Sequence, residues 1–170
     1  NHCILPSGYP PRSILGYVLT VLIGLLDEEG LLELLNIELL QDYSDKFSSE
    51  DNEVFSLAKK IHSTLPVIIT EEDLSSVGFR LKSQLNENSK MLSYNVCLPE
   101  MNHNEIVGWE SKLIDKDSFS LLWIDITWPA NIKRMNITNN ILKKKTSSSY
   151  HIEIPSDLKN DLSGLFYLLN

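Results

Sequence analysis

Leu65-Pro66-Val67-Ile68-Ile69-Thr70-Glu71-Glu72-Asp73-Leu74 is where the chain changes character. Before it, apolar residues recur at helical spacing. From Leu65 onward, short apolar strands alternate with helical segments, the pattern of an α/β unit built on a parallel sheet. Pro66-Val67-Ile68-Ile69 predicts a buried strand, because β-branched side chains fit a pleated surface and a parallel sheet is covered on both faces. Thr70, with Asp73 three positions on, predicts a helix cap, and Glu71, Glu72 and Asp73 sit favourably at the positive end of that helix. The helix is expected to run to about Lys90 and to bury Leu74, Val77, Leu81 and Leu85 at three- and four-residue spacing. Further strands are expected at residues 92–98, 119–126 and 150–154, with helices at 104–109 and 130–145.

Outward toward the N-terminus, Val54 opens a helical pattern that leads up to Leu65, and residues 41–52 form a polar stretch that reads as a surface connection. Residues 31–40 predict a further helix. Residues 12–26 carry apolar side chains on nearly every side of a helix, as a helix does when it is buried in a core or a subunit interface. Pro6-Ser7-Gly8-Tyr9-Pro10-Pro11 is an entry loop, since its prolines fix φ and remove backbone donors. At the other end, residues 157–170 place Leu158, Leu162, Leu165, Phe166 and Leu169 on one helical face. The fold expected is α/β, a parallel sheet flanked by helices and preceded by a largely helical N-terminal segment. Residues 1–64 form that segment and 65–170 the α/β domain. Neither edge carries a clear boundary, so the sequence reads as part of a longer protein.

Composition narrows the function. A chain of 170 residues that is 42% apolar can bury a core, which argues against disorder. A formal net charge of −8 argues against a nucleic-acid binder, because neutralising phosphates needs clustered Lys and Arg. The run Lys143-Lys144-Lys145 reads as a solvated helix end. Cys3 and Cys97 stand far apart with no His at ligand spacing, so neither a disulfide framework nor a zinc site is indicated, and a reducing cytoplasm fits. The most apolar stretch, 14–26, falls short of the ~20 residues a membrane span needs. The expectation is a cytoplasmic protein without metal, cofactor, nucleic-acid or membrane partner.

Two clusters could carry chemistry. On the helix after the first strand, Arg80, Gln84 and Glu87 stand at i, i+4 and i+7 and project together. After the second strand comes Leu98-Pro99-Glu100-Met101-Asn102-His103-Asn104-Glu105, at the carboxyl edge of the sheet, where open α/β folds place their ligands. Asn102 with Glu105 forms a capping-box arrangement that makes His103 the first residue of a helix. The positive helix end then favours a neutral imidazole, ready to move a proton near pH 7. A carboxylate and an imidazole served by a cation suit aldose–ketose isomerisation, in which one base moves a proton between adjacent carbons while another group opens the ring. The cation stabilises the enediolate.

Three stretches together resemble the bifunctional phosphoglucose/phosphomannose isomerase family, whose members are built of two SIS (sugar isomerase) domains. They are Pro6-Ser7-Gly8-Tyr9-Pro10-Pro11-Arg12, then Arg80-Leu81-Lys82-Ser83-Gln84-Leu85-Asn86-Glu87-Asn88-Ser89-Lys90, then Pro99-Glu100-Met101-Asn102-His103-Asn104-Glu105-Ile106-Val107-Gly108-Trp109. The resemblance implies a three-layer αβα SIS-type domain, the C-terminal half of such an enzyme, acting on glucose 6-phosphate and mannose 6-phosphate through a cis-enediolate without metal or cofactor. It implies that Glu87 is the base for C1/C2 proton transfer, that His103 opens the ring, and that Arg12 stabilises the enediolate. It also implies a homodimer in which His103 serves the other subunit's site. The phosphate-binding Ser/Thr residues would lie before Asn1 and a further lysine after Asn170, so this piece alone should be inactive. The alternative is a non-catalytic SIS module that binds a phosphosugar and regulates a partner.

Overall fold

The computed structural model describes residues 4–10, 13–26, 30, 35–49, 52–113, 115–146, 148–159 and 162–169. In chain order they form helices α1 (Leu15–Leu26), α2 (Ile37–Phe47) and α3 (Glu53–Ile61), strand β1 (Leu65–Glu71), helix α4 (Ser75–Asn88) and strand β2 (Tyr94–Leu98). The short helix α5 (Glu105–Gly108), strand β3 (Phe119–Ile124), helix α6 (Pro129–Leu142), strand β4 (Ser148–Ile152) and helix α7 (Leu162–Leu169) follow. Packing divides the chain into two units: Asn1–Glu50 with Ile154–Asn170, and Asp51–Glu153.

The second unit is an α/β domain. Its four strands are ordered β2-β1-β3-β4, and every neighbouring pair is parallel. Parallel crossovers are right-handed, so the direction in which the chain steps along the sheet decides which face the connecting helix covers. The step from β1 to β2 goes one way and the step from β3 to β4 the other, which puts α4 and α6 on opposite faces. Side chains agree with this rule. Thr70 lies beneath Gly78 of α4, whereas Val67, Ile69, Leu121 and Trp123, from the other face, share a core with Met135 and Leu142 of α6. The connection from β2 to β3 steps in the same direction as α6, and it too covers that second face, contributing Met101 and Trp109 to the same core. Three layers result.

Coverage of both faces explains why β1 and β3 read as continuous apolar runs without alternation. Ile68, Ile69, Leu121, Leu122, Trp123 and Ile124 are each at most 1% exposed. At about 25 cal/mol per Å², such burial is the main favourable term in holding the sheet together.

Two local expectations are corrected by the fold itself. Thr70 caps no helix: it continues β1, pairs with Cys97 in the register, and is fully buried with its Oγ1 3.4 Å from Cys97 Sγ. Its β-branched side chain extends the preceding run, and a turn of 3₁₀ helix at Glu72–Leu74 intervenes before α4 begins at Ser75. The polar stretch 41–52 is not simply a connection either, because α2 runs on to Phe47. Tyr43 and Phe47 supply apolar anchors on that helix, with ring centroids 5.2 and 6.1 Å from Tyr167 of α7. Asn36 caps α2 by accepting from the Leu39 N–H. The helix expected at 31–40 falls partly on residues 31–34, outside the described residues. Among the described residues no helix is long and apolar enough to cross a membrane.

Candidate active site

His103 projects from a loop built to be firm on one side. Strand β2 ends at Leu98, which is 1% exposed, and a cis Leu98–Pro99 peptide leads into a 3₁₀ turn at Glu100–Asn102. Met101 of that turn is buried among the core residues of the second face, and Asn102 donates from Nδ2 to Thr138 Oγ1 of α6 at 2.6 Å. His103 follows, exposed, with its backbone N–H bonded to the Glu100 carbonyl. The imidazole makes no hydrogen bond among the described residues. Six positions later the chain is anchored again by buried Trp109, edge-on to Phe119 with centroids 5.1 Å apart.

The capping box expected from Asn102 and Glu105 does not form. The helix N-cap is Asn104, whose Oδ1 accepts from the Glu105 N–H at 2.7 Å and whose Nδ2 donates to Glu100 Oε1 at 3.1 Å. The reason is competition for one side chain: Thr138 takes the Asn102 amide, so the next asparagine caps. His103 is therefore not the first residue of a helix, and α5 spans only four residues. The helix-end argument for a neutral imidazole falls with it.

Glu87 stands in the last turn of α4, exposed, and its carboxylate has no partner among the described residues. Val77 and Gly78 of the same helix are buried. The end of α4 is fixed by Ser93, 1% exposed, whose hydroxyl lies 3.3 Å from both the Lys82 carbonyl and Asn86 Oδ1. Lys90 Nζ closes the turn on the Glu87 carbonyl, and Asn88 bonds Gln84 one turn back. Arg12, the third expected site residue, lies outside the described residues.

Within one chain the two groups sit at opposite edges of the sheet. Helix α4 runs back from the carboxyl end of β1 to the start of β2, so Glu87 belongs to the amino edge, while His103 follows the carboxyl end of β2. The five residues of β2 separate the two edges by about 17 Å at ~3.3 Å per residue.

A third cluster lies at the carboxyl ends of β1 and β3. Adjacent strands β1 and β3 send their following helices to opposite faces, and the crevice beyond their carboxyl ends is where this class of sheet places ligands. Here it is filled by Glu71, whose carboxylate accepts from Thr127 Oγ1 (3.3 Å), the Trp128 N–H (3.0 Å) and Asn131 Nδ2 (3.1 Å). Arg134 holds the other side of the buried Asn131 amide at 3.0 Å. Asp125, 6% exposed and with φ of +38°, turns the chain out of β3 beside them. The available sequence signal was Trp128-Pro129 with Asn131 opening a helix directly after a strand. The Glu71 carboxylate thus takes the donors that a bound anion would use there. Among the described residues no three His, Cys, Asp or Glu side chains are grouped as a metal ion would need.

The parallel sheet covered on both faces makes this a three-layer αβα domain, the architecture expected of an SIS-type domain. More narrowly, the chain belongs to the bacterial phospho-glucose isomerase C-terminal SIS domain family, whose profile matches residues 50–169. It is similar to the bifunctional phosphoglucose/phosphomannose isomerase of Aquifex aeolicus, at 32% identity over 142 residues covering 82% of this chain and 43% of that protein. It is 34% identical over 152 residues to the enzyme of the same description from Caldicellulosiruptor bescii, covering 82% and 45%. The chain thus spans less than half the length of either relative. A glucose-6-phosphate isomerase like protein from Thermus thermophilus shares the fold, with a TM-score of 0.54 and 16% identity over 71% of this chain and 40% of that one.

Proposed function

We propose that this chain is the C-terminal part of an aldose–ketose isomerase that interconverts glucose 6-phosphate, and mannose 6-phosphate with it, with fructose 6-phosphate. The observation that carries the reading is that Glu87 and His103 are both exposed and, among the described residues, both without a side-chain partner, although each sits on a firmly anchored element. A base kept free of internal bonds is one available to a substrate.

His103 opens the ring by moving the proton of the C1 hydroxyl and protonating the ring oxygen as the C1–O bond breaks. The Glu87 carboxylate then takes the proton from C2, and the electron pair left behind forms the C1–C2 double bond of a cis-enediolate. Arg12 balances the negative charge on the enediolate oxygen. Returning the proton to C1, with the O2 hydroxyl proton passing to O1 as the C2 carbonyl forms, gives the ketose, and no redox partner is consumed. Because about 17 Å of strand separates the two sheet edges, the site takes its imidazole from a second copy of the chain. That the crevice donors are taken by Glu71 supports a phosphate seat outside this stretch of sequence.

In the complete natural polypeptide, Glu87→Gln should slow exchange of the substrate C2 proton with solvent by about a hundredfold or more, the usual share of a general base. Undiminished exchange removes Glu87 from the role. Binding of hexose phosphate by the unaltered protein without turnover points instead to a non-catalytic phosphosugar module.

A further inference from the structure

We propose that Thr138 is a positioning residue for His103, acting through Asn102 to fix the loop that presents the imidazole. The inference rests on the isomerase reading and adds a part to its machinery.

Thr138 lies on the buried side of α6 with Asn131, Met135 and Leu142, and is 1% exposed. A hydroxyl on such a surface is a cost unless it is bonded, and valine would fill the same space. Its bond is to the residue immediately before His103: Asn102 Nδ2 donates to Thr138 Oγ1 at 2.6 Å. The other end of that amide gives no second tie, because Asn102 Oδ1 is buried with no partner among the described residues. The Asn102 side chain thus depends on Thr138 alone.

The remaining contacts of the loop do not replace it. Met101 packs into the core and sets how deep the loop sits, but an apolar contact leaves rotation free. The Asn104 bonds to Glu100 and to the Glu105 N–H join exposed groups of the loop to one another, not to the body of the domain. The Asn102–Thr138 bond is directional and ties the loop to a helix on the sheet, so it fixes the rotation at the position from which His103 springs. A displacement of about 1 Å at a proton-transferring group can lower a rate about a hundredfold.

The test uses the complete natural polypeptide acting on glucose 6-phosphate. Thr138→Val should lower kcat about 10- to 100-fold with KM near its wild-type value, and should flatten the limb of the pH–rate profile that His103→Ala abolishes. Thr138→Ser keeps the hydroxyl and should restore both. Asn102→Ala cuts the same bond from its other end and should reproduce both changes, and the double variant should lose no more than either single one. Wild-type kcat and pH profile in Thr138→Val, or additive losses in the double variant, would overturn the positioning role and leave the isomerase reading intact. If Thr138→Val does not fold, Asn102→Ala decides, and a wild-type pH profile there overturns the proposal. An unaltered protein that turns over no hexose phosphate overturns the isomerase reading, and this one with it.

Discussion

Gly78→Ala should destabilise the α/β domain, although alanine is the better helix former. Gly78 lies inside α4, where replacing glycine with alanine gains about 1 kcal/mol of helix propensity. Against this stands the sheet beneath. A Cβ at position 78 would fall 2.8 Å from Thr70 Cγ2 and would collide with the Asn95 amide. Carbon atoms settle at ~3.5–4.0 Å, so α4 must lift by roughly 0.7–1.2 Å or its neighbours must move. Thr70 is fully buried in β1 and cannot yield. Asn95 can turn away only by giving up its 3.3 Å bond to the Ile68 carbonyl, a loss of about 1 kcal/mol. Overpacking of this kind costs about 1–3 kcal/mol, so the net effect is a loss of about 1–3 kcal/mol. Urea unfolding followed by tryptophan fluorescence would read it as a lower midpoint at unchanged slope. Gly16→Ala supplies the control: nothing lies within 4 Å of a Cβ added there, so stability should hold or rise by up to about 1 kcal/mol. A Gly78→Ala protein as stable as wild type would refute the close approach of α4 to β1.

Gly164→Ala should loosen α7, since the added Cβ would fall 2.6 Å from the Leu158 carbonyl oxygen, a backbone atom that cannot rotate aside; a melting temperature equal to wild type counts against that packing. His103→Ala should leave the melting temperature within error of wild type while lowering turnover about a hundredfold or more, to a residual rate still measurable across pH, because the imidazole is exposed and bonded to nothing among the described residues. A large drop in melting temperature would make the histidine structural instead. Mixing Glu87→Gln with His103→Ala protein and letting subunits exchange should restore about a quarter of wild-type activity, since half of the dimers would be mixed and each of those holds one intact site. Absence of recovery despite proven exchange would sink the shared-site reading.

What the sequence revealed depended on how regular the local physics was. The β-branched run at Val67–Ile69 and the apolar run at Leu121–Ile124 identified buried parallel strands, because nothing but coverage on both faces explains so many apolar residues in succession. The α4 helix was legible from spacing alone. The failures share a cause: each concerned a residue with more than one possible partner. Thr70 could cap a helix or extend a strand, and the space beneath Gly78 decided for the strand. Asn102 could cap a helix or reach across the domain, and Thr138, 36 residues away, drew it off. Tyr43 and Phe47 read as part of a polar connection because their partner Tyr167 lies more than a hundred residues further on. Glu71 was legible only as a charge near a helix start. That it would bond Thr127, Trp128 and Asn131 requires knowing that β1 and β3 are neighbours.

That last cluster bears on where chemistry can happen. The opening between β1 and β3 is the ordinary ligand position of a doubly wound sheet, and here the protein's own carboxylate occupies it. Glu71 accepts the Trp128 N–H at the start of α6, a place where a bound anion would otherwise find donors. The bonds of Thr127 and Asn131 to the same carboxylate engage the donors that a phosphate there would need. A sheet closed at its usual mouth has only its flanks and helix ends left to offer a substrate. Glu87 and His103 lie at just such places, one at the end of α4 and the other on the loop after β2. On the isomerase reading, the domain serves its enzyme as a rigid support that delivers single groups outward to a substrate held elsewhere, and its own crevice works as a clamp joining β1 to α6.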